Sequence, residues 1–382
     1  MEKIRASKTA FWLRVAAANL VVLGFLLIVF EGLAGYALLA YDMMRYPRLR
    51  DLMHARYDPL LGWVNKPDVF IPDMYGPGVY LQTNNRGFRN RHPVDDGVPK
   101  GKKRILCSGD SFTLGYGVDN DHTWCQMLET FSPNLETVNM GQGGYGIDQA
   151  YLRYLREASR LEYQMHLFSF IVVDFFRIQS DQFFGYGKPI FDVENGKLVL
   201  KNVPVPRYAY YFPWLSFFKE RIRHLSSYQI LKRIFQKEAS NPGNSGAPSE
   251  KEQNLKVQKI QRLIFEDLKR ISEERSAKLV LVYLPTYCEI KYDEYMEWMK
   301  FIEDEARTLH IPLINVLRIF RSMPLEEAAK MFTPQEGSGC ECCRHLSNQG
   351  NEFVARLIYE KIKKDPELSG VLSLNRPTQN GH

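Results

Sequence analysis

The sequence predicts an α/β fold: a five-stranded parallel sheet with helices on both faces, preceded by a transmembrane helix and a small β-rich segment. Three observations predict it. Short apolar runs beginning near residues 104, 136, 165, 278 and 311 alternate with helical apolar patterns, as expected of strands joined by helical crossovers. The first run, Ile105-Leu106-Cys107, ends in Gly109-Asp110-Ser111, with Gly115 and Gly117 close behind. A long apolar stretch also stands near the N-terminus, ahead of any of these strands.

A chain of 382 residues, 45% of them hydrophobic, is ample for one sizeable domain with attachments. The net charge of +6 is modest, and no basic run interleaves with aromatics. That argues against a nucleic-acid partner. No internal repeat is present.

In order along the chain, residues 1–14 form a tail carrying Lys3, Arg5, Lys8 and Arg14. The segment 15–41 is apolar apart from Asn19 and Glu31, and as a helix it would be about 40 Å long, enough to cross a bilayer with tilt. It exceeds the apolar core of a cleavable signal and lacks a small-residue cleavage site, which favours an uncleaved anchor over a signal peptide. A buried helix of a soluble protein is the other reading. Glu31 lies toward the far end, and Gly32 and Gly35 would permit close approach of another helix. Arg45, Arg48, Arg50 and Arg56 follow the segment, so charge bias alone does not orient it.

Residues 42–102 read as a linker and a β-rich cap, because Pro59, Gly62, Pro67, Pro72, Pro77 and Gly78 punctuate short extended pieces. Arg86 and Arg89 either bind an anionic group or form exposed salt bridges.

Gly109-Asp110-Ser111 puts a hydroxyl at the C-terminal end of a strand, the edge of an open α/β sheet where crevices form. The glycine allows a sharp turn, and the N–H groups after it can face a developing oxyanion. Serine is a weak nucleophile until a base takes its proton, so this reading requires a histidine elsewhere. The alternative is a plain turn joining strand to helix.

Beyond it the pattern gives a short helix Trp124–Phe131, a strand Glu136–Met140, a glycine-rich loop 141–146, a helix 147–160 and a strand Met165–Asp174. The glycine-rich loop by itself could cradle a phosphate or nothing. An insertion, 175–252, is rich in aromatics (Tyr208, Tyr210, Tyr211, Phe212, Trp214, Phe217, Phe218) followed by Lys219, Arg221 and Arg223. It reads as a lid, a membrane-resting surface or rings packed on the core, and ends in a flexible linker, 239–252. Helix 253–275, strand Lys278–Leu284, helix 292–309 and strand Ile311–Val316 resume the alternation, and 366–382 forms a tail.

Near the C-terminus, Arg344-His345-Leu346-Ser347-Asn348 precedes a helical pattern of Phe353, Val354, Leu357, Ile358 and Ile362. His345 is the candidate base; a helix-flanking surface histidine is the alternative. Cys340, Cys342 and Cys343 cluster beside it, with Cys288, Cys107 and Cys125 distant. Adjacent cysteines seldom arrange four converging ligands, so no metal is expected. A disulfide from Cys288 to the cluster suits an oxidising compartment, and Cys107 reads as a small buried hydrophobe.

The Gly-Asp-Ser turn and the block around His345 together resemble the SGNH/GDSL hydrolase superfamily over residues 103–365. The resemblance implies a flavodoxin-like sheet, Ser111 as nucleophile, His345 as general base, and an oxyanion hole from the N–H groups of Ser111 and Gly144, the latter placed by its spacing from Asn139. Membrane-anchored members are similar in carrying an "LGW…KP" and an "N-x-x-G-F-R" segment upstream. Two departures stand out. The third block should read Gly-x-Asn-Asp, and here Ile171-Val172-Val173-Asp174 keeps only the aspartate; valine cannot donate a hydrogen bond. The acid three residues before the histidine is replaced by Cys342. Asp110, Asn139, Asp174, Glu341 and Cys342 are therefore candidates for supporting roles, with Gln142 or Glu336 as further substitutes.

The resulting expectation is a membrane-anchored serine esterase, with no cofactor, acting on an acyl ester of an envelope polysaccharide or lipid. By analogy with such hydrolases the N-terminus is expected in the cytoplasm and the main domain outside it. The alternatives are an O-acyltransferase to a polysaccharide hydroxyl and a non-catalytic module that binds envelope glycans.

Overall fold

The computed structural model describes residues 12–30, 32, 54–183, 186–206, 250–293, 295–334, 342 and 344–372. Glu31, Gly35, the aromatic run from Tyr208 to Phe218 with its three basic residues, linker residues 239–249, Glu336, Cys340, Glu341 and Cys343 lie outside them. The chain divides into two units, Met1–Met53 and His54–His382. In the first, α1 (Trp12–Phe30) is a 19-residue helix of mean hydropathy 2.4, long and apolar enough to cross a membrane.

The second unit begins with two hairpins. β1 (Ala55–Asp58) pairs antiparallel with β2 (Gly62–Asn65), and β3 (Phe70–Ile71) with β4 (Leu81–Gln82). The Asp58 carboxylate closes the first turn by accepting from the N–H groups of Leu60 and Leu61 at 3.0 and 2.9 Å. An aspartate at this turn position replaces a backbone acceptor, which is why the sequence bends here.

The sheet is built from β5 (Lys103–Ser108), β6 (Leu135–Asn139), β7 (Met165–Phe170), β12 (Lys278–Tyr283) and β13 (Leu313–Asn315), in the order β13-β12-β7-β5-β6. Every neighbouring pair is parallel. Between and after these strands run α2 (Ser111–Leu114), α3 (Trp124–Phe131), α4 (Ile147–Ala158), α5 (Val173–Phe176), α6 (Glu250–Glu274), α7 (Tyr287–Lys291), α8 (Met296–Thr308), α9 (Val316–Arg321), α10 (Leu325–Lys330) and α11 (Asn348–Lys364). Two further hairpins, β8 (Gln182–Phe183) with β9 (Tyr186–Gly187) and β10 (Ile190–Glu194) with β11 (Lys197–Lys201), occupy the described part of the insertion. The strand order is the flavodoxin-like one. From β5 the chain moves to β6 on one side, then crosses to β7 on the other, so the C-terminal end of β5 stands at the topological switch point where a crevice opens.

The residues alternate as buried parallel strands require. Leu106, Phe168, Phe170, Leu281 and Tyr283 face one core, filled by Ile147 and Tyr151 of α4, Ile264 and Phe265 of α6 and Trp298 and Ile302 of α8. Ile105, Cys107, Met165, Leu167, Val280 and Val282 face the other, filled by Trp124 and Leu128 of α3 and Val354, Ala355 and Ile358 of α11. Each large apolar side chain buried this way contributes about 1.5–3 kcal/mol. Helices on both faces follow from that double alternation.

Several expectations need correction. The helix expected over 292–309 starts at Met296, because Tyr295 takes a left-handed φ of 65° ahead of it. The linker's last residues, Glu250 to Glu252, already belong to α6. Arg89 is neither an anion ligand nor an exposed ion-pair partner. It is fully buried, and its guanidinium donates to the carbonyls of Leu114 at 2.7 Å, Val118 at 2.5 Å, and Gly115, all in the segment that follows the serine. Arg86 does pair with Asp96.

Candidate active site

β5 delivers the chain to Gly109 with its last residues inside the core. A Cβ at Gly109 would lie 2.2 Å from Thr113 Oγ1 and 2.7 Å from the Ser169 carbonyl, so the turn closes only because that position carries none. Asp110 then caps α2, its Oδ1 accepting from the Phe112 N–H at 2.8 Å. Ser111 is the first residue of the helix, so its N–H has no partner within the helix.

His345 Nε2 stands 2.8 Å from Ser111 Oγ, although 234 residues separate them in sequence. Several contacts fix that imidazole. Its own carbonyl accepts from the Thr333 N–H at 2.8 Å, and the Ser347 N–H donates to the Met331 carbonyl at 2.9 Å, a short antiparallel bridge on both sides of the ring. Ser347 caps α11. The rings of Phe112 and Tyr116 lie 4.8 Å from the imidazole, centroid to centroid. Arg344 donates to the Thr333 carbonyl at 2.7 Å and stacks over Tyr287 at 4.3 Å.

The glycine-rich loop after β6 reaches the same edge. Gly144 has φ +79°, and a Cβ there would fall 2.5 Å from Phe183 Cε1. Glycine is demanded by the backbone and by the ring at once. The cap holds this loop: Trp63 Nε1 donates to the Gly143 carbonyl at 2.9 Å, and the Tyr145 hydroxyl donates to the Trp63 carbonyl at 2.5 Å. Neither the Ser111 nor the Gly144 N–H meets an acceptor among the described residues.

The expected supporting residues fare differently. Cys342 is bonded to Cys288, a disulfide three residues ahead of His345, so it serves as no substitute acid. Glu341 lies outside the described residues. Asn139 is a strut: its Nδ2 donates to the Thr113 carbonyl at 2.8 Å while its Oδ1 accepts from the Gly141 N–H at 3.0 Å. Gln142 Oε1 accepts from the Asn65 N–H and from Arg153, both at 3.1 Å. Asp110 and Asp174 come together instead. Asp110 Oδ2 lies 3.3 Å from Ser111 Oγ and 3.4 Å from Arg177 Nη1, which donates to Asp174 Oδ1 at 2.6 Å.

Electrostatics follow from burial. Desolvation raises the Asp110 carboxyl above its ordinary range, with Arg177 opposing. It raises Asp174 much further, and the neighbouring charge of Asp110 adds to the effect. His166, buried on β7 and bonded to Ser108 Oγ at 2.8 Å, is pushed down to about 3 by desolvation, so it stays neutral and is not a second base. Cys107 is buried, as a small hydrophobe should be.

The sequence reading does not single out Arg177 or Phe183, and it meets Trp63 only as part of the LGW…KP segment. The one signal for Arg177 is Asp174-x-x-Arg177, an acid and a base at helical spacing just past the third strand. Among the described residues no group of three His, Cys, Asp or Glu side chains is placed to hold a metal ion.

No family model and no curated protein matches the chain. Solved structures similar to it include a lipolytic protein of the G-D-S-L family from Veillonella parvula DSM 2008, at 13% identity over 69% of this chain and 100% of that one, TM-score 0.36. A lipase/acylhydrolase from Enterococcus faecalis is similar at 12% identity over 68% and 95%, TM-score 0.38. The acetyl xylan esterase AlAXEase is similar at 12% identity over 68% and 99%, TM-score 0.37. The strand order, not these likenesses, defines the fold.

Proposed function

We propose that this chain is a membrane-anchored serine esterase of the SGNH/GDSL type. The single observation that supports it is the 2.8 Å approach of His345 Nε2 to Ser111 Oγ at the switch point of the sheet. That distance suits proton transfer from the hydroxyl as it attacks.

In this reading Ser111 Oγ adds to the ester carbonyl while His345 takes its proton. The tetrahedral oxyanion accepts from the N–H groups of Ser111 and Gly144. As the intermediate collapses, the C–O bond to the alcohol breaks and His345 returns the proton to that oxygen. Water then attacks the acyl-serine, with His345 again the base, releasing the acid and restoring Ser111. If a sugar hydroxyl enters in place of water, the same steps transfer the acyl group. α1 anchors the chain, with the N-terminus cytoplasmic and the second unit outside.

The test is labelling by a serine-directed fluorophosphonate of full-length protein in detergent. Wild type should label, Ser111→Ala should not, and His345→Ala should label at least a hundredfold more slowly. Equal labelling of all three would remove the proposal.

A further inference from the structure

We propose that Arg177 is a catalytic residue whose guanidinium supplies a third donor to the oxyanion, an inference that rests on the esterase reading of the site. Three observations lead to it. First, Arg177 lies beside both the serine turn and the glycine loop. Its Nη1 donates to the Tyr145 carbonyl at 2.7 Å, next to Gly144, and a single oxygen, Asp110 Oδ2, lies between it and Ser111 Oγ. Its guanidinium also lies over the ring of Phe183, 5.0 Å from the centroid, and that ring is the group that closes on Gly144. Serine, glycine loop and guanidinium are thus one contiguous surface.

Second, the guanidinium is only partly used. Nη1 takes all three of its acceptors, Nε is buried with no hydrogen-bond partner, and no acceptor among the described residues is bonded to Nη2. Arginine carries five donors in a rigid fork, and an unmet buried one is costly unless a partner arrives. Nε is enclosed, so Nη2 is the donor left for an oxygen that becomes negative during the reaction. The side chain is 15% exposed.

Third, Arg177 follows directly on the short helix α5. Val173, one turn earlier and 37% exposed, has no side-chain donor. The carboxyls of Asp110 and Asp174 hold Nη1 from beneath, and Lys188 Nζ, itself fully buried against Asp148, donates to the Arg177 carbonyl at 3.0 Å. The group is fixed before substrate arrives, as effective stabilisation of developing charge requires.

The test compares wild type, Arg177→Gln, Arg177→Lys and the double variant Val173→Asn/Arg177→Gln, full-length in detergent, with p-nitrophenyl acetate as substrate and phenylboronic acid as a tetrahedral mimic. Arg177→Gln should lower kcat about a hundredfold with KM changed less than threefold, the size typical of one lost oxyanion donor. Boronate affinity should fall with it. Arg177→Lys should keep roughly a tenth of wild-type kcat, and the amide introduced at 173 in the double variant should recover at least tenfold over Arg177→Gln. Loss confined to KM, or a fall in kcat without a fall in boronate affinity, would overturn the proposal. If Arg177→Gln fails to fold, Arg177→Lys decides by the same two readouts, and unchanged kcat and boronate affinity in it would sink the assignment. Ser111→Ala separates the two layers: if it hydrolyses ester like wild type, the esterase reading fails; if it is inactive while the Arg177 variants are not impaired, only the arginine's role fails.

Discussion

Cys288, buried at the start of α7, is bonded to Cys342, three residues ahead of His345. The bond ties the loop that carries His345 to the chain just past the C-terminal edge of β12. Closing a 54-residue separation contributes about 4 kcal/mol in the chain-entropy account. Mild reductant should therefore slow acyl-enzyme formation about tenfold in wild type and leave a Cys288→Ser variant, already slow, unaltered. Stopped-flow acylation with and without reductant checks this.

Gly144→Ala would place a methyl group against Phe183 in a backbone region that costs an L-residue roughly 1–2 kcal/mol. The loop should shift and take its N–H out of line. We expect kcat to drop at least a hundredfold while the thermal midpoint falls by only a few degrees, as read by steady-state kinetics and calorimetry on the same preparation.

Arg89 carries the opposite balance. Replacing it by Met removes the charged donor from the carbonyls of Leu114, Gly115 and Val118, leaving Gly115 only the Val118 N–H at 3.4 Å. Each lost charged hydrogen bond is worth about 1.5–3 kcal/mol. Arg89→Met should unfold at markedly lower denaturant, and Arg89→Lys should recover only part, since one ammonium cannot span three acceptors in a plane. Urea titration decides.

His166 makes the fold acid-labile. Its folded value of about 3 lies below the ordinary histidine value of 6.5, so the unfolded chain binds the extra proton between those limits. The neutral ring's contribution is fully present above pH 6.5 and is lost as pH falls toward 3, at about 1.4 kcal/mol per pH unit. A His166→Phe variant, which keeps a ring against Tyr154, should lose less stability than wild type between pH 6.5 and 4. Parallel unfolding curves at the two pH values would contradict this.

Much of the scaffold was legible because parallel strands buried on both faces leave unmistakable apolar runs, and all five were found. Ser111 and His345 were singled out by the two motif blocks that carry them, and the fold brings the two side chains to 2.8 Å. What was not legible depends on convergence from distant segments. Nothing in the sequence around Arg89 says that three carbonyls from residues 114 to 118 will surround it, so an arginine there reads as a surface charge. Asn139 looked available for an oxyanion until Thr113 and Gly141 took both ends of its amide. The start of α8 was misplaced because Tyr295 adopts a conformation that its side chain does not advertise.

The hairpin of β1 and β2 has a practical consequence for anyone shortening this protein. Trp63 grips the Gly143 carbonyl and receives the Tyr145 hydroxyl in return, so the hairpin is packed onto the glycine-rich loop and is not a mere tether. A shortened version should be trimmed upstream of His54. One trimmed at the first strand of the central sheet would keep Ser111 and His345 yet lose the brace on the loop that carries Gly144.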